Sequence, residues 1–87
     1  YRLEPRYMGP EVLRIIAFGP LAEELSARNL QIAYVEGESI QYYVQQLSIS
    51  KWINMGLTVA LNGEVCKLQT IPNSGDEIAL LPPVSGG

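Results

Sequence analysis

The chain has no histidine and a single cysteine, Cys66, among its 87 residues. Without histidine, acid–base catalysis by an imidazole is excluded, and a protein metal site of the usual kind is not expected. One cysteine cannot form a disulfide within the chain. Because Lys67 is its only nearby basic neighbour, we expect Cys66 to be a small buried residue rather than a nucleophile.

Long apolar runs and an excess of positive charge are also missing, since the chain has 6 Lys and Arg residues against 9 Asp and Glu. No apolar run approaches the ~20 residues of a membrane span, and the net charge of −3 argues against nucleic acid as a partner. The hydrophobic content of 47% is normal for a globular chain. No signal peptide is visible, although the sequence begins at Tyr1 without methionine. We expect a cytoplasmic protein with one small domain and one core.

Conventional catalytic motifs are absent as well. The sequence contains no Gly-x-Gly phosphate loop. The acidic pairs Glu23-Glu24 and Asp76-Glu77 are adjacent in sequence, so they do not share a face as catalytic dyads do, and we expect them to be solvated. The one reactive group left is the carboxylate of Gly87, and we expect the chain not to be an enzyme by itself.

The first ten residues show no regular period and are interrupted by Pro5, Gly9 and Pro10. We interpret residues 1–10 as an extension ahead of the domain; a cloning remnant, a processed leader and a docking arm all remain open. The domain itself is expected to cover residues 11–81, followed by a flexible tail over residues 82–87.

Alternation and β-branched residues predict the strands. Residues 12–18 and 30–35 are expected to pair as an antiparallel hairpin around a short helical or turn segment at 21–26. Residues 57–61 form a third strand with Leu57, Val59 and Leu61 facing inward. Asn62-Gly63 is typical of a type I′ hairpin turn, which leads into a short return strand at 64–67.

One helix is predicted, with Ser39 as its N-cap and its end near Leu47. Ile40, Tyr43, Val44 and Leu47 make one apolar stripe, and the residues expected to face solvent are Gln41, Tyr42, Gln45 and Gln46. Residues 48–56 are not assigned, although we expect Trp52 and Ile53 to cap the open end of the core. Strands around one main helix predict an α+β layer fold.

Residues 73–87 predict a turn, then a strand, then an extended tail. Asn73-Ser74-Gly75-Asp76 has the composition of a turn, and residues 77–81 form a strand with Ile78 and Leu80 on one face. Pro82-Pro83 ends that strand, because proline lacks an N–H and has a fixed φ. Val84 and Ser85 follow, and Gly86-Gly87 can pass through spaces that no other residue fits.

The string Gly-Asp-Glu-Ile-Ala-Leu-Leu-Pro-Pro-Val-Ser-Gly-Gly at residues 75–87 resembles the C-terminus of the molybdopterin synthase small subunit, a sulfur carrier. A looser likeness runs back to about residue 12. The resemblance implies a ubiquitin-like β-grasp with a mixed sheet, in which the last strand lies centrally and parallel to the first. The related sulfur carrier of thiamine biosynthesis also ends in Gly-Gly but usually lacks the two prolines. The family usually starts at its first strand, so residues 1–10 are a departure.

The resemblance also implies a function. An activating enzyme would use ATP to adenylate Gly87, sulfur would replace AMP, and the resulting thiocarboxylate would donate sulfur to a pterin precursor of the molybdenum cofactor. No cofactor would be bound. The partners would be the synthase large subunit, in a heterotetramer, and the E1-like activating enzyme. A ubiquitin-like modifier conjugated to lysines through Gly87, another sulfur carrier and a plain interaction module remain alternatives.

A docking surface is expected at the root of the tail. If the strands at 57–61 and 77–81 share one sheet, the outward residues Thr58, Ala60, Ala79 and Leu81 form a smooth, weakly polar surface. We expect Leu81 to anchor both partner enzymes there.

Overall fold

The computed structural model describes residues 11–83, and both the N-terminal extension and residues 84–87 lie outside that range. Five strands and three short helices follow one another within it. In chain order they are β1 (Val12–Ala17), α1 (Pro20–Leu25), β2 (Asn29–Ala33), α2 (Ile40–Gln46), α3 (Lys51–Asn54), β3 (Thr58–Leu61), β4 (Glu64–Cys66) and β5 (Glu77–Leu81).

The strands form one mixed sheet in the order β2-β1-β5-β3-β4. The last strand, β5, lies at its centre. It runs parallel to β1, with Ile15 beside Ile78, and antiparallel to β3, with Val59 beside Leu80. This arrangement confirms the mixed sheet of the β-grasp. Since a parallel pair needs a long crossover connection, most of the chain lies between its two partners.

One face of the sheet forms the core together with the helices. Alternate residues of the three inner strands are almost fully buried on this face: Leu13, Ile15, Ala17, Val59, Ile78 and Leu80. Leu21 of α1 and Ile49 join them. Burying these apolar side chains is the main favourable contribution to folding, at about 25 cal/mol per Å² removed from water.

Helix α2 buries the apolar stripe that its sequence predicts. Ile40, Tyr43 and Val44 are buried, and Leu47 packs partly against the core. The solvent face is narrower than predicted, because Gln41 and Tyr42 are half-buried. The Tyr43 hydroxyl accepts a hydrogen bond from the Val35 N–H and donates one to the Val35 carbonyl, each over 2.9 Å. That pair fixes the loop between β2 and α2.

The segment for which the sequence predicts no element contains the short helix α3. Trp52 and Ile53 lie half-buried at the edge of the core. The hairpin turn at Asn62-Gly63 has φ of 51° and 91°, which is the positive φ pair that a type I′ turn requires. Within residues 11–83, no helix has the length and apolar character needed to cross a membrane.

Candidate functional site

The C-terminal tail starts from a strand that is paired on both sides. The turn before β5 is tied to β1 by hydrogen bonds from the Gly75 N–H to the Val12 carbonyl and from the Arg14 N–H to the Asp76 carbonyl, each 3.0 Å long. On the other side, the Asn62 N–H donates to the Glu77 carbonyl over 2.8 Å, and the Asn62 side chain accepts from the Glu77 N–H over 3.0 Å. The tail therefore leaves a fixed base.

Of the predicted tail residues, Pro82 and Pro83 follow β5 directly and are half-buried. The predicted residues Val84, Ser85, Gly86 and Gly87 lie outside the described residues. We name Pro82 and Pro83 the proline neck. Because both residues are half-buried, the neck is in contact with the domain.

The four predicted docking residues lie together. Register partners place Thr58 beside Leu81 and Ala60 beside Ala79, on the face of the sheet opposite the core. We name this side of the sheet the outer face. Thr58, Ala79 and Leu81 are half-buried, whereas Ala60 is only 5% exposed. Ala60 therefore forms the floor of this surface, and its more exposed neighbours would make the contacts.

Two apolar residues of the outer face were missed by sequence reasoning. Ile16 is the partner of Ala79 and Val65 the partner of Ala60, so an apolar row crosses four strands. Val65 is 71% exposed. The signal for Ile16 was the alternation of β1, in which Leu13, Ile15 and Ala17 are the buried set. Val65 lies in a strand of three residues, which is too short to show an alternation.

Two exposed large side chains lie next to the residues that contact the proline neck. Phe18 is 42% exposed and precedes Gly19, and Met55 is 54% exposed and precedes Gly56. Gly19 is close to Pro82 and Gly56 is close to Pro83.

Glu24 is exposed, as its sequence context predicts, and it also binds two side chains of α3. Its carboxylate accepts a hydrogen bond from Trp52 Nε1 over 3.1 Å and lies 3.3 Å from Lys51 Nζ. The Trp52 hydrogen bond, with a smaller contribution from Lys51, lowers the pKa of Glu24 below its ordinary value, although partial desolvation opposes the shift. These contacts join α1 to α3 across the end of the sheet.

Cys66 is half-buried and lies beside Val59 on the core side of β4, packed against the core. A thiol in that position serves packing, in agreement with the structural role expected for it.

The chain is similar in sequence to one protein family and in structure to several solved proteins. The family model described as ThiS family matches residues 15–87. No curated protein matches the sequence. Among solved structures, small archaeal modifier protein 1 from Haloferax volcanii is 25% identical, with a TM-score of 0.70, covering 87% of this chain and 99% of that chain.

A second similar structure is a complex of subunits 1 and 2 of molybdopterin-converting factor from Helicobacter pylori. The matched chain is 27% identical, with a TM-score of 0.57, over 87% of this chain and 99% of that chain. The small archaeal modifier protein 1 from Methanosarcina acetivorans, 22% identical with a TM-score of 0.65, covers 91% and 99% and shows the fold alone. The sheet described above is thus a ubiquitin-like β-grasp.

Proposed function

Because this chain belongs to the ThiS family, we propose that it is the sulfur carrier subunit of a molybdopterin synthase, with Gly87 as the residue that carries the sulfur. The observation that carries the proposal is the continuity of the central strand β5 with the Pro-Pro-Val-Ser-Gly-Gly terminus. A terminus that continues the middle strand of a rigid sheet is presented at a fixed point of the domain.

The reaction needs activation, because a carboxylate is a poor acyl donor. An E1-like activating enzyme transfers AMP from ATP to a Gly87 carboxylate oxygen and releases pyrophosphate. A sulfur nucleophile then attacks the acyl carbon and AMP leaves, which produces the C-terminal thiocarboxylate. The synthase large subunit receives this group and passes its sulfur to a pterin precursor. The carrier supplies no side-chain catalyst, which agrees with its lack of histidine.

The tail has the dimensions for this task. Residues 82–87 at full extension would reach roughly 20 Å, at ~3.3–3.6 Å per residue. That reach is enough to enter a buried active site while the domain stays outside. Proline in the neck lowers the entropy that is lost when the tail is ordered in the partner.

The outer face supports a protein partner. Its apolar row passes through Ala79, which is on the same face of β5 as Leu81 and two residues before it, so a partner that covers this row lies at the root of the tail. The similarity to a chain solved as a complex of subunit 1 with subunit 2 of molybdopterin-converting factor favours a synthase large subunit as that partner. The activating enzyme is the second proposed partner, because adenylation must precede sulfur transfer.

The similarity to small archaeal modifier protein 1 from Haloferax volcanii favours a second function. A modifier would use the same adenylated Gly87 but would transfer its acyl group to a lysine amine and form an isopeptide bond. The carrier and the modifier thus share their first step and differ in the nucleophile that follows.

Intact-mass spectrometry after incubation with an activating enzyme, ATP and a sulfur donor tests both functions. Exchange of one oxygen for sulfur on the full-length chain, together with pterin conversion when the large subunit is added, supports the synthase carrier. A ladder of lysine conjugates supports the modifier instead. The matched control is the chain without Gly87, which keeps the domain but should remain unmodified. A full-length chain that is never adenylated would refute both functions.

A further inference from the structure

Two glycines lie against the proline neck. A Cβ placed on Gly19 would be 3.6 Å from Pro82 Cγ, and a Cβ placed on Gly56 would be 3.2 Å from Pro83 Cβ. The first distance is an ordinary van der Waals separation, whereas the second is tighter than side chains normally accept. Pro83 therefore occupies space that a side chain at residue 56 would need.

Each glycine is held in place by the end of a helix. The Gly19 carbonyl accepts the Ala22 N–H over 3.0 Å in the first turn of α1. The Gly56 N–H donates to the Ile53 carbonyl over 3.3 Å just beyond the end of α3. Both glycines have positive φ, 57° and 104°. Because hydrogen bonds fix the backbone on both sides of the neck, the two glycines form a rigid surface.

The two helix ends are connected to each other. Glu24 of α1 binds Trp52 and Lys51 of α3. Since β1 and β3 lie on the two sides of β5, this contact links the segment that follows Gly19 to the helix that precedes Gly56.

We propose that Gly19 and Gly56 form a seat for the proline neck and that this neck seat fixes the direction in which the C-terminal tail leaves the domain. Two locked φ angles make the neck stiff but do not orient it; the seat supplies the orientation. A carrier needs it because the direction of the root sets the direction in which the tail starts toward a partner's active site, and a misplacement of about 1 Å there can cost a hundredfold in rate. The functional half of this inference rests on the carrier function proposed above.

Positive φ alone does not explain these two glycines. Gly37 has a φ of 85°, yet a Cβ placed there would meet no atom within 4 Å. Gly37→Ala therefore imposes a comparable backbone strain without touching the neck, and it is the matched control for Gly56→Ala.

Nuclear magnetic resonance tests the seat without any enzyme. In the wild-type protein we expect nuclear Overhauser effects between Pro82 and Gly19 and between Pro83 and Gly56. In Gly56→Ala the added methyl group would lie 3.2 Å from Pro83 Cβ, so Pro83 must move by a few tenths of an ångström and its resonances should shift. In Gly37→Ala both Overhauser effects and the Pro83 resonances should match the wild type. If the effect between Pro83 and Gly56 is missing from the wild-type protein, or if the Pro83 resonances do not shift in Gly56→Ala, the neck seat does not exist.

Steady-state adenylation then tests what the seat does. The outer face is unchanged in Gly56→Ala, so we expect KM for the carrier to stay within about twofold of the Gly37→Ala value while kcat falls about tenfold or more. If Gly56→Ala displaces Pro83 and its kcat still equals that of Gly37→Ala, the positioning role is overturned. A wild-type chain that is not adenylated would refute the carrier function, and the resonance measurement would still decide whether the seat exists.

A double-mutant cycle identifies the interaction responsible. Pro83→Gly removes the Cβ that a side chain at residue 56 would meet. If the proximity of the two residues matters, Gly56→Ala should lower kcat much less in the Pro83→Gly background than in the wild type. Additive effects of the two substitutions would show that backbone strain at residue 56, and not the clash with the neck, lowers kcat.

Discussion

At the scale of single residues, the proposed carrier function depends on residues with a small side chain or none. Ala60 forms the floor of the outer face at 5% exposure, and Gly19 and Gly56 leave room for the proline neck. Sequence reasoning identified Ala60 and Ala79 from strand alternation, because that pattern is local. It gave neither Gly19 nor Gly56 a role at the tail, because proximity to residues 27 or more positions away leaves no local signal.

The first prediction concerns Gly86. We expect Gly86→Val to reduce thiocarboxylate formation at least about tenfold, because a β-branched side chain restricts φ and ψ and widens the tail that must enter the active site. The measurement is the rate of oxygen-for-sulfur exchange by intact mass. Ser85→Ala, which narrows the neighbouring residue, should leave the rate unchanged. Wild-type kinetics for Gly86→Val with both partner enzymes would show that neither active site is tight.

At the scale of elements, the sequence predicted the helix and the turn whose residues follow a regular local pattern. The apolar stripe of α2 and the type I′ turn at Asn62-Gly63 follow from patterns of a few adjacent residues, and the structure has both. Helix α3 was not predicted, since four residues make little more than one turn and show no period. Its position depends on Trp52 and Ile53 packing against the core, which is a tertiary effect.

The second prediction concerns the Tyr43 hydroxyl. Tyr43→Phe should lower the free energy of unfolding by about 1–3 kcal/mol, because the Val35 N–H and carbonyl are both left without this partner in a partly buried place. Urea denaturation followed by circular dichroism measures the change. Tyr42→Phe, in the neighbouring half-buried ring, is the control and should cost less. Equal costs would mean that water replaces the Tyr43 hydroxyl at Val35.

The third prediction concerns the link between α1 and α3. The pKa of Glu24 is lowered in the folded protein from its ordinary value of 4.5. Its stabilising contribution is therefore complete above pH 4.5 and is lost as the pH falls through the lower folded pKa. Trp52 is the sole tryptophan of the chain, so its fluorescence reports on the link directly.

We expect the Trp52 emission to change below pH 4.5, with a midpoint at the folded pKa of Glu24. Glu24→Gln keeps an acceptor for the indole N–H but cannot titrate, so its emission should stay constant over the same range. A transition of the same size in Glu24→Gln would show that another group, or acid unfolding, causes the change.

At the scale of the whole molecule, the central position of β5 in the sheet determines where the tail leaves the domain. Local patterns in the sequence lead to a small α+β domain and no further. The parallel pairing of β1 with β5 joins residues more than 60 positions apart, such as Ile15 and Ile78, and no local pattern encodes it; the likeness of the C-terminal string to a known family supplied it. Because β5 is central, the tail leaves from the same strand that contributes Ala79 and Leu81 to the middle of the outer face.

The last prediction places partner docking on that strand. Leu81 lies beside Thr58 on the outer face, away from the core residues Ile78 and Leu80. We expect Leu81→Glu to weaken binding to the synthase large subunit and to the activating enzyme by about 2 kcal/mol or more, as at an interface hot spot, with little change in melting temperature. Calorimetric titration measures the binding. Ile71→Glu adds the same charge at an exposed apolar residue outside the strands and should leave both affinities unchanged. If Leu81→Glu binds both partners as the wild type does, docking lies elsewhere and the tail alone carries recognition. If Leu81→Glu unfolds the domain, the half-buried Leu81 supports the fold, and the same substitution at Val65 tests the outer face instead.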